Sequence, residues 1–280
     1  MNLRDTESTV VVDLQGTEIN STGGRHTVLN AYLHEITEFD MQTGLYEGTF
    51  SGAALQNRLT GFDGVIAGAG NDRVFGSWGD ETVILGAGTN AFDGRSGFNT
   101  YGVVGDRTEF SISSSDGVFT IAKISDPDGH NAVASNIERI GFYDTSYNKT
   151  GELAFDLDGN AGQTYRLYKA AFDRAPDDAG LSHNVALMDG GMSIHDMSNA
   201  FIRSAEFIGT YGPAIDDTAF VTLLYTNVLD RNPDAAGLAG WEDRLASGTW
   251  GRNEVLFGFS ESAENKANVA AEINDGIWLM

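Results

Sequence analysis

Asp63, Asp72, Glu81, Asn90 and Asn99 recur at intervals of nine residues. Each offers a side-chain oxygen. Calcium takes roughly six to eight oxygens from carboxylates and carbonyls in a flexible geometry, and a column of such residues suits it. Along the column the type runs from Asp through Glu to Asn, so the ligand charge falls toward its end. A second trio, Asp156, Asp158 and Asn160, could turn three oxygens toward one point, as a calcium loop does. The full loop pattern needs a later Glu that this stretch lacks, and an Asx-rich linker turn is the competing reading. His34-Glu35-Ile36-Thr37-Glu38 begins like a zinc motif but has no second His, and its neighbours read as strand. Trp78, Trp241 and Trp250 are the aromatic residues whose faces could stack on a sugar ring. Core packing is the competing reading for Trp241, while Trp78 and Trp250 are expected nearer the surface.

These residues need elements to hold them. Residues 58–102 divide into five blocks of nine: RLTGFDGVI, AGAGNDRVF, GSWGDETVI, LGAGTNAFD and GRSGFNTYG. The fourth position is Gly in every block: Gly61, Gly70, Gly79, Gly88 and Gly97. The eighth is apolar: Val65, Val74, Val83, Phe92 and Tyr101. Gly permits the left-handed or close-packed backbone of a short turn. The eighth position belongs to a short strand and points inward, where Val is favoured. A fixed period of this kind is the mark of a parallel β-roll.

The blocks resemble the RTX, or hemolysin-type calcium-binding, repeat, with AGAGNDRVF the closest copy. The resemblance implies calcium held between stacked turns, with two blocks per full turn. Asp63 then faces Glu81, Asp72 faces Asn90, and Glu81 faces Asn99. No such pair joins two Asp residues. Calcium at one or two weakened sites and a metal-free roll held by Asn and Gly turns both stay open.

Residues 1–57 carry strand-like runs, such as Thr9–Val12, Val28–Leu33 and Gly44–Phe50, expected to stack on the roll. Residues 103–160 read as a β cap and linker, with a hairpin turning at Ser115-Asp116-Gly117. Ser135-Asn136-Ile137-Glu138-Arg139-Ile140 resembles the end cap of such rolls in secreted proteins of alphaproteobacterial type. A cap is needed because an open end exposes unpaired strand edges.

Over 161–280 the period changes to that of helices. Leu167–Leu181 recurs as Leu224–Leu238, a shift of 57 residues, and Ser204-Ala205-Glu206 recurs as Ser262-Ala263-Glu264. The shared core is Asp-Arg-x-Pro-Asp-x-Ala-Gly-Leu. Pro ends one helix, Asp177 or Asp234 caps the next, and Gly180 or Gly237 lets it pack closely. Ser193 starts another helix in a capping box with Asp196. Each copy is expected to hold two or three short helices. The Asp and Arg residues of the core invite a catalytic reading, but loop-fixing ion pairs account for them more simply. The motif resembles the tandem helical domain of unknown function that ends many RTX proteins, itself similar to phycobilisome linker domains, which dock proteins.

The expected fold is therefore an α+β multidomain chain. It has an N-terminal parallel β-roll or β-solenoid with cap strands, then an all-α domain of two duplicated helical repeats.

The 280 residues carry 40 Asp+Glu against 17 Lys+Arg, a net charge of −23. That balance excludes nucleic acid as an expected partner, since phosphate binding needs basic patches. Cysteine is absent, so disulfides contribute nothing. No apolar stretch is long enough to span a membrane. The first residues lack a basic start followed by an apolar run. The tail Asp275-Gly276-Ile277-Trp278-Leu279-Met280 resembles the uncleaved export signal of RTX proteins. These features imply an extracellular or cell-surface protein exported without a cleaved signal, or one assembled on a phage-like particle. No common catalytic motif is present. The leading reading is a non-enzymatic binder of cell-surface or capsular polysaccharide, with a protein partner on the helical repeats. A surface-layer or particle-spike component is the second, and a polysaccharide-active lyase or epimerase the third.

Overall fold

The structure is a computed structural model that describes residues 79–280 without interruption, residues 73–76, and seven strand segments further upstream. Asp63, Asp72, Trp78 and His34 lie outside the described residues. The chain divides into two compact units, Met1–Glu152 and Leu153–Met280.

The first unit is built of strands. They are β1 (Ser8–Val12), β2 (Ile19–Gly23), β3 (Thr27–Ala31), β4 (Ile36–Asp40), β5 (Leu45–Phe50), β6 (Ala53–Ala54), β7 (Gly64–Ala67) and β8 (Arg73–Phe75). There follow β9 (Thr82–Ile84), β10 (Gly88–Asp93), β11 (Thr100–Val104), β12 (Phe110–Ser115), β13 (Val118–Lys123), β14 (His130–Ser135) and β15 (Arg139–Tyr143). The division between the units falls inside β16 (Lys149–Ala154).

Successive strands of the nine-residue stretch alternate between two mixed sheets. One runs β12-β13-β14-β10-β8-β4-β5-β6, and the other carries β16, β15, β11, β9, β7 and β3 in that order. Val65 pairs with Val83, Val83 with Tyr101, and Val74 with Phe92, all in parallel strands. The register step is thus two blocks of nine. Upstream, β3 pairs in parallel with β7, and β4 with β8. Downstream, β14 and β15 continue the parallel ladders of β10 and β11. The antiparallel hairpin β12–β13 turns at Asp116 and Gly117, both at positive φ, as a two-residue hairpin turn requires.

The eighth-position residues Val74, Val83, Phe92 and Tyr101 are buried, together with Leu85, Phe110, Ile140 and Phe142. Apolar burial at about 25 cal/mol per Å² is the main force holding such a core. Among the fourth-position glycines, Gly97 has a steric cause. A Cβ on Gly97 would stand 1.9 Å from the carbonyl oxygen of Gly79, one turn below.

The second unit has eight helices and one strand. The helices are α1 (Asn160–Phe172), α2 (Asp178–Asp189), α3 (Ile194–Ile202), α4 (Ala205–Tyr211), α5 (Asp217–Leu229), α6 (Ala235–Ala246), α7 (Arg252–Ser260) and α8 (Ala263–Ile273). The strand is β17 (Ile277–Leu279). Each copy of the duplication therefore holds four helices rather than two or three. Ser193 starts α3 as expected, and the helices beyond the expectation are α4 and α8, of 7 and 11 residues, each capped by a serine. The main core gathers Leu167, Phe201, Phe220, Leu224, Val255 and Phe259. A smaller one gathers Ala161, Leu181, Val185, Val269, Ile277 and Leu279. The apolar tail expected as an export signal is thus folded into this unit.

Candidate functional site

The sixth-position column can be followed into the parallel strands at the end of the nine-residue stretch. Glu81 and Asn99 meet: the Glu81 amide donates to Asn99 Oδ1 at 3.0 Å, and the Thr100 amide donates to Glu81 O at 2.7 Å. One rung on, the Asn99 amide donates to Glu138 Oε2 at 2.6 Å, and Glu138 returns its own amide to Asn99 O at 2.9 Å. Asp80 adds a parallel link, accepting from the Phe98 amide at 2.7 Å. Side chains of Asn99, Asp80 and Glu138 thus tie these neighbouring segments together through backbone N–H groups.

Asn99 is the centre of this column and is almost fully buried. Its Nδ2 donates to Gly94 O at 3.1 Å, Ser96 O at 3.2 Å and Asn136 O at 3.1 Å. An amide nitrogen aimed at three carbonyls does not fit a cation, which would need those same oxygens. At this rung the residues present do not suit calcium. Asn90, also buried, donates from Nδ2 to Gly86 O at 2.9 Å. Among the described residues, no group of three His, Cys, Asp or Glu is placed to hold a metal ion.

Asp156, Asp158 and Asn160 turn to different partners. Asp156 Oδ2 accepts from the Ala161 amide at 3.0 Å in the first turn of α1. Asp158 pairs with Lys266 at 2.9 Å, which holds its carboxyl below the usual range. Asn160 donates to Asp189 at 2.8 Å. This is the Asx-rich turn leading into a helix.

The duplicated motif is used residue by residue. Asp173 and Asp230 end α1 and α5 in the left-handed conformation, each at φ 52°. Asp177 and Asp234 cap α2 and α6, accepting from the amides of Gly180 and Gly237, both at 2.8 Å. Those hydrogen bonds lower both carboxyl pKa values. The glycines leave room for the Tyr168 and Tyr225 hydroxyls, which a Cβ would meet at 2.9 and 2.3 Å. Arg174 grips Glu206 with two hydrogen bonds, at 2.7 and 3.1 Å, and Arg231 grips Glu264 likewise, at 2.7 and 2.9 Å. Each guanidinium also lies over a tyrosine ring, Tyr168 or Tyr225. Ser204 and Ser262 cap α4 and α8. The repeated Ser-Ala-Glu is therefore a cap followed by the arginine's partner.

Trp241 and Trp250 are brought together, their rings 5.5 Å apart and both half-buried. Trp241 also packs on Phe259 at 5.1 Å. Exposed Arg244 covers both indoles, at 5.0 and 5.6 Å. Trp250 is less open than the sequence reading expects, because it borders the main core.

The sequence reading did not anticipate a groove of about 590 Å³ where the two copies meet, lined by Lys169, Asp173, Arg174, Asn227, Asp230 and Asn268. Its two aspartates are the same motif position, so the duplication carried a signal. Which helix ends would converge was not in it.

Residues 161–210 and 197–269 match the family model described as a domain of unknown function, DUF4214. The DUF4214 match covers both copies of the motif and all eight helices in whole or part. It does not reach residues 58–102, where the resemblance to RTX repeats rests on the sequence columns. No curated protein matches the chain. None of the helices described is long and apolar enough to cross a membrane.

Proposed function

We propose that this chain is a non-enzymatic binding protein of the extracellular space or cell surface that recognises a cell-surface or capsular polysaccharide. The observation that carries the reading is the use made of the duplicated motif. Its charged residues are spent on helix caps and bidentate ion pairs, so the motif builds a scaffold rather than a reaction centre. The half-buried Trp241–Trp250 pair, with Arg244 lying over both rings, supplies the sugar platform: a guanidinium for a hydroxyl or carboxylate and, where Arg244 swings aside, an indole for the apolar side of a ring. The helical repeats, with the groove between them, form the docking face for a protein partner.

In this reading the first unit is a parallel β-roll. The alternation of strands between two sheets and the common register step of two blocks support it. Calcium belongs to its earlier rungs, where Asp63, Asp72 and Glu81 hold the carboxylate positions of the sequence column.

A glycan-binding screen against capsular and exopolysaccharides, with and without calcium, tests the reading. Binding is expected and is weakened by Trp250→Ala in a chain whose circular dichroism is unchanged. Failure to bind any glycan overturns the carbohydrate assignment.

A further inference from the structure

Three backbone carbonyls, Gly94 O, Ser96 O and Asn136 O, converge on one point inside the first unit. The first two lie in one turn of the chain and the third in the next. Converging carbonyl dipoles repel one another unless something positive stands between them. Water does not reach the point, because Asn99 is only 1% exposed. What stands there is the Nδ2 group of Asn99, whose two N–H donors are shared among the three oxygens.

The amide cannot be the other way round. Asn99 Oδ1 accepts from the Glu81 amide at 3.0 Å. Exchanging O and N would set an oxygen against three oxygens and an N–H₂ against an N–H. The backbone of Asn99 is equally fixed, its N–H on Glu138 Oε2 and its carbonyl on the amides of Glu138 and Arg139.

Asn99 holds the sixth position of its block, the place of Asp63 and Asp72 in earlier blocks. An Asp here would keep the bond to the Glu81 amide through one oxygen. Its second oxygen would stand where Nδ2 now stands, within about 3.1 to 3.2 Å of the three carbonyl oxygens, and four oxygens would then crowd together with no donor among them. Such a cluster needs a cation, and oxygen-only coordination suits calcium.

We propose that the side-chain amide of Asn99 takes the place of a divalent cation, so that this rung closes without metal. A single exchange, Asn99→Asp, turns the rung into one that requires an ion. This holds whether or not the protein binds a sugar.

The test counts calcium ions by isothermal titration into the chelator-treated full chain. Asn99→Asp is expected to bind one more ion per chain than the unaltered protein. It should melt below the unaltered protein in chelator and recover several degrees with calcium. Asn99→Ala should melt lower with and without calcium alike, since three carbonyls lose their donor, and its ion count should not change. A folded Asn99→Asp chain that gains no ion overturns the proposal, as does one that stays unfolded in calcium. An Asn99→Ala chain that loses an ion overturns it too, because the cation would then have been there already.

Discussion

Gly97 sits at φ +98°, with a carbonyl oxygen 1.9 Å from where its Cβ would stand. Gly117 sits at φ +75° with open space around the same position. Both face the cost of a left-handed backbone, about 1–2 kcal/mol for a residue with a Cβ. Only Gly97 adds a clash with backbone, which cannot move away as a side chain can. Gly97→Ala should therefore cost roughly 2–4 kcal/mol and Gly117→Ala about half that, read as shifts in thermal or denaturant midpoint. Equal effects would mean that φ alone explains the glycine column. The column was legible in the sequence, and at Gly97 the structure gives it a steric reason, the carbonyl of Gly79. The role of Asn99 was only half legible. Its place in the oxygen column could be read, but its amide nitrogen serves three carbonyls that only the fold brings to one point. One of them, on Asn136, lies 37 residues away.

At the scale of elements, the sequence shows best where single residues end or begin them. Pro176 and Pro233, the capping Asp177 and Asp234, and the turn at Asp116-Gly117 all act locally, and the structure places them as their chemistry requires. The short helices α4 and α8 were harder to separate, since 7 and 11 residues give little room for a 3.6-residue period to show. The β12–β13–β14 element holds a feature that no pattern marks. His130 opens β14 and packs edge-on against Phe110 of β12, 5.7 Å between ring centres. Its Nε2 is buried and finds no hydrogen-bond partner among the described residues. Burial lowers its pKa below the ordinary 6.5, Lys123 of β13 adds to the effect, and Asp126 in the intervening turn opposes it. Lys123 itself is paired with Glu109 at 3.0 Å. The folded state thus resists the proton that the unfolded chain accepts. Its contribution to stability is complete above about pH 6.5 and is lost as pH falls from there toward the depressed folded value. Melting temperature should decline between about pH 7 and 5, and His130→Phe, which keeps the ring contact, should flatten that slope. An unchanged slope in the variant would place the titration elsewhere, and the depressed carboxylates at Glu109 and Asp144 come to differ in protonation between folded and unfolded chain only at lower pH.

At the scale of the whole molecule, 40 acidic residues against 17 basic ones make self-repulsion a general property of the folded chain. Several acids are held in specific pairs, as in Arg174–Glu206, Arg231–Glu264 and Arg252–Asp217, but pairing can neutralise at most as many acids as there are bases. The surplus of carboxylates repels across the surface at low ionic strength, because the screening length is then about 30 Å and shrinks to about 10 Å near 0.1 M salt. Compaction of a chain this acidic is opposed by its own field. Melting temperature should therefore rise as NaCl goes from about 0.01 to 0.5 M, with most of the gain below about 0.2 M. Calcium chloride at matched ionic strength separates the two contributions. An equal rise means screening alone, and a larger one means calcium ions held by carboxylates. The same field bears on recognition. An acidic capsule meets a surface of its own sign, so its binding should be poor in chelator and strengthen with calcium beyond the effect of NaCl, while a neutral glycan should bind almost independently of salt. A melting temperature that falls with NaCl would instead show that the ion pairs outweigh the surplus charge, and would remove the electrostatic reason for calcium to assist an acidic ligand.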